Sequence, residues 1–140
     1  MIVGIHHVGI AVRDLDATTR RYETQLGAIV ETHESLPDQG VSAVALRLGD
    51  SGRVELLAPT APDTPVGRFL ARNGEGMHHL AYCVDSIEAE LAQLRARGAT
   101  LIDEVPRDGL YGRVAFIHHE SLSGVLTELV EPHHGKGPHG

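Results

Sequence analysis

The sequence predicts an α+β fold of two tandem modules, each a strand, a helix and three further strands. Three observations predict it. The opening segment IHHVGIAV at 5–12 returns as MHHLAYCV at 77–84, about half the chain later. The closing segments match as well: RVELLAP at 53–59 and LTELVEP at 126–132 place Glu55 and Glu128 at equivalent positions. Each opening segment also runs directly into a helical pattern.

The first module (about 3–58) opens with the strand 5–12. A helix follows from about Asp14 to Gln25 and stops at Gly27. Val- and Ala-rich runs near 28–34, 41–48 and 53–57 read as strands. The connector APTAPDTPVGRFLARNGEG is a Pro-rich turn and then a short helix over Val66–Arg72. It is too short to separate two domains, so residues 1–132 are expected to form one domain. The second module (about 76–131) opens with the strand 77–84. Its helix is expected to be capped by Asp85, with Glu88 completing a capping box and Ile87, Leu91 and Leu94 as the apolar stripe. Gly98 ends that helix, and strands near 100–103, 112–118 and 124–130 follow. The tail HHGKGPHG, residues 133–140, lacks any apolar period and is expected to be disordered.

Composition narrows the function. Twelve basic residues stand against 19 acidic ones, a net charge of −7, and the few aromatics offer no stacking platform, so nucleic acid is an unsuitable partner. No run of 18 apolar residues exists, and the N-terminus lacks a basic signal region, so the expected location is the cytoplasm. The single Cys83 excludes a disulfide framework and reads as a small core residue. Ser86 and Ser123 lack a nucleophile elbow, and no phosphate-binding glycine spacing occurs.

Four positions do not fit an ordinary core. A carboxylate interrupts the apolar run in both VELLAP and LTELVEP, although an unpaired buried carboxylate costs several kcal/mol. One such glutamate reads as a residue on a solvated face. Two at matching positions of a repeat do not. The histidines add to this: His6–His7 and His78–His79 open the two modules. Side chains alternate along a strand, so only one of each pair faces a given side, and spacing leaves open which. Two imidazoles and two carboxylates are the ligands of a borderline divalent metal.

These residues resemble the vicinal oxygen chelate superfamily, whose paired βαβββ modules form a curved mixed-sheet cup around a metal. The connector DTPVGRFLARNGEGMHHLAYCV, the segment LIDEVPRDGLYG and VAFIHHESLSGVLTELVEP narrow the resemblance to its methylmalonyl-CoA epimerase branch, over roughly residues 3–132. The resemblance implies His7, Glu55, His79 and Glu128 as the metal ligands, thereby choosing the second histidine of each pair. It also implies Glu128 as the catalytic base, Co²⁺ as the metal with Zn²⁺, Mn²⁺ or Ni²⁺ as substitutes, an acyl-CoA substrate and a homodimer. The implied reaction is epimerisation at C2 of methylmalonyl-CoA, or a close malonyl-CoA homologue, through a metal-stabilised enolate.

Three departures qualify it. Some relatives carry a second catalytic glutamate three residues after the glycine of QGV, where this chain has Ala43, so the second acid/base is unassigned. His6 and His119 also stand where many relatives carry other residues. Two alternatives share the fold: a glyoxalase I-like lyase and a non-enzymatic small-molecule binder. The low aromatic content and the four ligand-type residues count against the binder. Eleven of the twelve basic residues are arginine, which suits phosphate contacts; Arg68, Arg72, Arg107 and Arg113 are the candidates, without a choice among them.

Overall fold

The computed structural model describes residues 1–133, so from residue 134 onward the expected disordered tail lies outside the described residues. The elements in order are β1 (Ile2–Ala11), α1 (Leu15–Leu26), β2 (Ile29–Leu36), β3 (Val41–Leu48), β4 (Gly52–Pro59), α2 (Pro65–Asn73), β5 (Gly76–Val84), α3 (Ile87–Ala96), β6 (Arg107–Asp108), β7 (Gly112–Ile117) and β8 (Thr127–Pro132). They fall into two compact units. One is His7–His78; the other joins Met1–His6 to the chain from His79. Among the described residues no helix is long and apolar enough to cross a membrane.

In the unit His7–His78 the strands run in the order β2-β3-β4-β1. β1 and β4 are parallel, and the other pairs are antiparallel. Parallel neighbours need a long crossover, and α1, β2 and β3 supply it. Asp14 starts α1 by accepting the N–H of Ala17 at 3.0 Å. Gly27 ends it at φ +68°, a left-handed conformation that suits glycine. One face of the sheet carries the apolar core: Val12, Ala28, Val44, Leu46, Leu56 and Ala58, with Leu15 and Tyr22 of α1 against it. Pro65 and the Thr64 hydroxyl open α2. Gly67 lets that helix seat, because a Cβ there would lie 2.3 Å from the Pro62 carbonyl oxygen.

The other unit repeats the plan as β5-β8-β7-β6, again with first and last strands parallel. The stripe expected on α3 is the one that packs: Ile87, Leu91 and Leu94 lie on Val84, Ala115, Ile117 and Leu129. Fully burying a side chain such as Leu91 contributes about 1.5–3 kcal/mol.

Two local expectations are corrected. The cap of α3 is Ser86, whose hydroxyl accepts the Ala89 N–H at 3.3 Å, not Asp85. Asp85 instead accepts from the Met1 amino group at 2.9 Å. With the register moved by one, Glu88 completes no capping box; it pairs with Arg113 at 2.6 Å. The strand expected at 100–103 is reduced to a single bridge, Leu101 to Ile117. At Asp103 a side-chain oxygen replaces the next ladder carbonyl by accepting the Phe116 N–H at 2.9 Å. Pro106, three residues on, has no N–H with which to continue a ladder.

Candidate metal centre

Each unit builds one His–Glu pair from its first and last strands, on the sheet face away from its helix. In the parallel register Gly9 lies beside Glu55, and Ala45 lies on its other side. His7 precedes Gly9 by two residues and so shares its face. Neither neighbour of Glu55 has a large side chain, which leaves room for an imidazole and a carboxylate together. His7 Nε2 stands 3.4 Å from Glu55 Oε1, with side chains 0% and 7% exposed.

The other unit uses the same register. Ala81 lies beside Glu128, and His79 precedes Ala81 by two. His79 Nε2 is 3.1 Å from Glu128 Oε1, again with both side chains buried. Here the residue on the far side of Glu128 is Phe116, not an alanine. The Phe116 ring stands edge-on to His79, with centroids 5.5 Å apart at 87°.

The first histidine of each doublet is engaged elsewhere. His6 packs edge-on to Tyr111 at 4.5 Å, and His78 to Phe69 at 4.9 Å. The two Nε2–Oε1 pairs therefore come from the second histidines. His7 and Glu55 in one unit, and His79 and Glu128 in the other, all buried, are the residues among those described that could hold a metal ion.

This donor set fits a divalent ion. Two donors about 2.1 Å from one ion lie about 3.0–3.4 Å apart when adjacent and about 4.2 Å apart when opposite. The two His–Glu separations fall in the first range. Two buried carboxylates are costly without cations, and a divalent ion would balance both charges.

The arginine candidates separate in the structure. Arg113 is committed to Glu88 and to Glu131, the latter at 3.3 Å. Those carboxylates hold its guanidinium well above the usual arginine range, and Arg113 in turn lowers the Glu88 carboxyl. Arg107 Nε lies 3.6 Å from Asp103, and Arg68 meets Asp63 at the surface, 2.8 Å away. Ala43, 0% exposed, is paired with Leu57 and so shares the Glu55 face. Sequence reasoning singled out neither Phe116 nor Asp103. The available signal was the repeat, which sets a bulky Phe116 beside Glu128 where Glu55 has Ala45.

Residues 6–116 match the Glyoxalase/Bleomycin resistance protein/Dioxygenase superfamily. The human mitochondrial methylmalonyl-CoA epimerase is 39% identical over 127 residues, 89% of this chain and 72% of that one. An ethylmalonyl-CoA/methylmalonyl-CoA epimerase of Cereibacter sphaeroides is 36% identical over 132 residues, 92% of this chain and 98% of the relative. The chain belongs to the methylmalonyl-CoA epimerase family of this superfamily. A solved methylmalonyl-CoA epimerase in complex with methylmalonyl-CoA and NH4+ superposes with a TM-score of 0.92 at 38% identity, covering 96% of this chain and 97% of that one. The α+β fold of paired βαβββ modules expected from the repeat is thus the fold of this family.

Proposed function

We propose that this protein epimerises methylmalonyl-CoA, or a close malonyl-CoA homologue, at C2 by 1,1-proton transfer. The observation that carries the proposal is the pair of buried His–Glu couples, His7–Glu55 and His79–Glu128, in a chain whose relatives bear that activity. The name of the Cereibacter relative supports tolerance of an ethyl group at C2.

His7, Glu55, His79 and Glu128 would hold a divalent cation, which when bound would supply Lewis-acid stabilisation of the negative charge that develops on the substrate oxygens. Glu128 takes the α-proton from one face of C2, leaving a planar enolate, and can return it to that face. Burial of Glu128 between Ala81 and Phe116 keeps bulk water from competing for the proton. Reprotonation of the opposite face inverts C2. Ala43 has no proton to give, so a water or a side chain other than residue 43 serves there. The resident metal is Co²⁺ in this reading. The protein works as a cytoplasmic homodimer, and residues 1–132 act as one domain.

The test is deuterium exchange at C2 of each methylmalonyl-CoA epimer in D2O, followed by mass spectrometry on protein of measured metal content. Wild type is expected to label both epimers. Glu128→Gln is expected to keep its fold and lose epimerisation by about 10²–10⁴-fold, the usual worth of a placed general base. Metal-loaded wild type that labels neither epimer would overturn the proposal.

A further inference from the structure

We infer that Asp103 is a positioning residue that sets the His79 imidazole through Phe116. The inference rests on the proposed function for its purpose, although its contacts all lie within one unit and stand independently of it.

Phe116 is held on both edges of its strand. On the inner edge β7 pairs it with Glu128. On the outer edge a regular neighbouring strand would normally supply both ladder partners, but here the pairing lapses after the Leu101 bridge and resumes only at Val114 with β6. Ile102 and Asp103 span that gap, with the Asp103 side chain as the acceptor. Its Oδ2 accepts the Phe116 N–H at 2.9 Å, while its own N–H and that of Ile102 donate to the Phe116 carbonyl at 3.2 and 2.9 Å. Arg107 Nε, 3.6 Å from Oδ1, steadies the other carboxylate oxygen. The Asp103 side chain is 15% exposed, so its bond to Phe116 is largely shielded from water.

The ring of the residue so held stands edge-on to His79, and its neighbour across the ladder is Glu128. Aromatic pairs of this kind have a preferred geometry. A shift of the Phe116 backbone therefore tilts the imidazole that it braces. In the other unit Ala45 lies between Glu55 and Thr32 of an eight-residue β2. His7 has no counterpart of this aromatic-and-carboxylate brace at those positions. The device belongs to the second His–Glu couple, the one that contains Glu128.

Outer residues that orient a metal-binding histidine typically change metal affinity by about 10–100-fold when removed. Asp103 acts one residue further out, so the expected loss for Asp103→Ala is about tenfold in affinity for Co²⁺ titrated into the apo protein. Asp103→Asn keeps an acceptor oxygen and is expected to behave as wild type. Asp103→Glu keeps the charge but displaces the oxygen by one methylene, and is expected to behave like Asp103→Ala. The decisive readout needs neither metal nor turnover: the imidazole resonances of His79 in the apo protein by NMR, with those of the exposed His33 on β2 as internal reference. Alanine and glutamate are expected to move the His79 signals by altering the ring-current field of Phe116, asparagine to leave them, and His33 to stay fixed in all three. If Asp103→Ala does not fold, Asp103→Glu carries the test. His79 signals unmoved in a folded Ala or Glu variant, or moved as far by Asn, would overturn the inference. Absent epimerase activity in wild type would overturn only the proposed function.

Discussion

Metal removal gives the most quantitative expectation. Two of the four proposed ligands come from each unit, and all four are buried. An ion that binds only the folded chain stabilises it by RT ln(1 + [L]/Kd). Above Kd, each tenfold rise in free metal therefore adds about 1.4 kcal/mol. For 140 residues, an unfolding entropy of about 2.1 cal/mol/K per residue gives about 0.3 kcal/mol/K in all. The melting temperature should then climb about 4–5 °C per decade of free metal. The assay is calorimetry in metal buffers spanning several decades of free Co²⁺, with chelated protein as the baseline. The chelated protein should still melt cooperatively, because the two apolar clusters that α1 and α3 cover use none of the four ligands. A melting temperature that ignores free metal would refute the reasoning. So would the same slope in His79→Ala, or an apo protein with no transition.

Two further expectations follow. His7→Ala and His79→Ala should each lose stoichiometric metal, whereas His6→Ala and His78→Ala should retain it, as measured by metal analysis after dialysis; the reverse pattern would put the opposite face of each strand toward the metal. The Glu88 carboxyl is held below its usual range by Arg113, so the stabilisation from that pair is complete above the usual glutamate range and lost as pH falls through the lowered folded value. Melting temperatures of wild type and Glu88→Gln should therefore converge as pH is lowered, and a gap that widens in acid would contradict the assignment.

Much of this was legible because it repeats or is periodic. The stripe Ile87, Leu91 and Leu94 is a local 3.6-residue pattern and packs as such. The paired glutamates were visible because the same oddity occurs twice. What the residues alone left open was set by distant groups. Asp85 and Ser86 are both capping types; Ser86 caps because the Met1 amino group occupies Asp85, a partner 84 residues away in sequence. The apolar start LI at 101–102 resembles a strand, yet Asp103 closes the pairing with its side chain, which no period records. Phe116 is an apolar residue in an apolar strand. Its bearing on His79 exists only once β5, β7 and β8 are assembled.

The parallel joining of first and last strands has a consequence for how the protein is made. In each module the histidine and its glutamate are separated by roughly 50 residues of chain, so neither couple exists until that module's final strand docks. Such distant pairings form late and slow the search for the native state. The first couple can form once β4 has left the ribosome, before Glu128 of the second has been made. A nascent chain would thus present a two-ligand half-site early, too sparse to retain an ion firmly. Loading would then wait for β8, the last of the described strands.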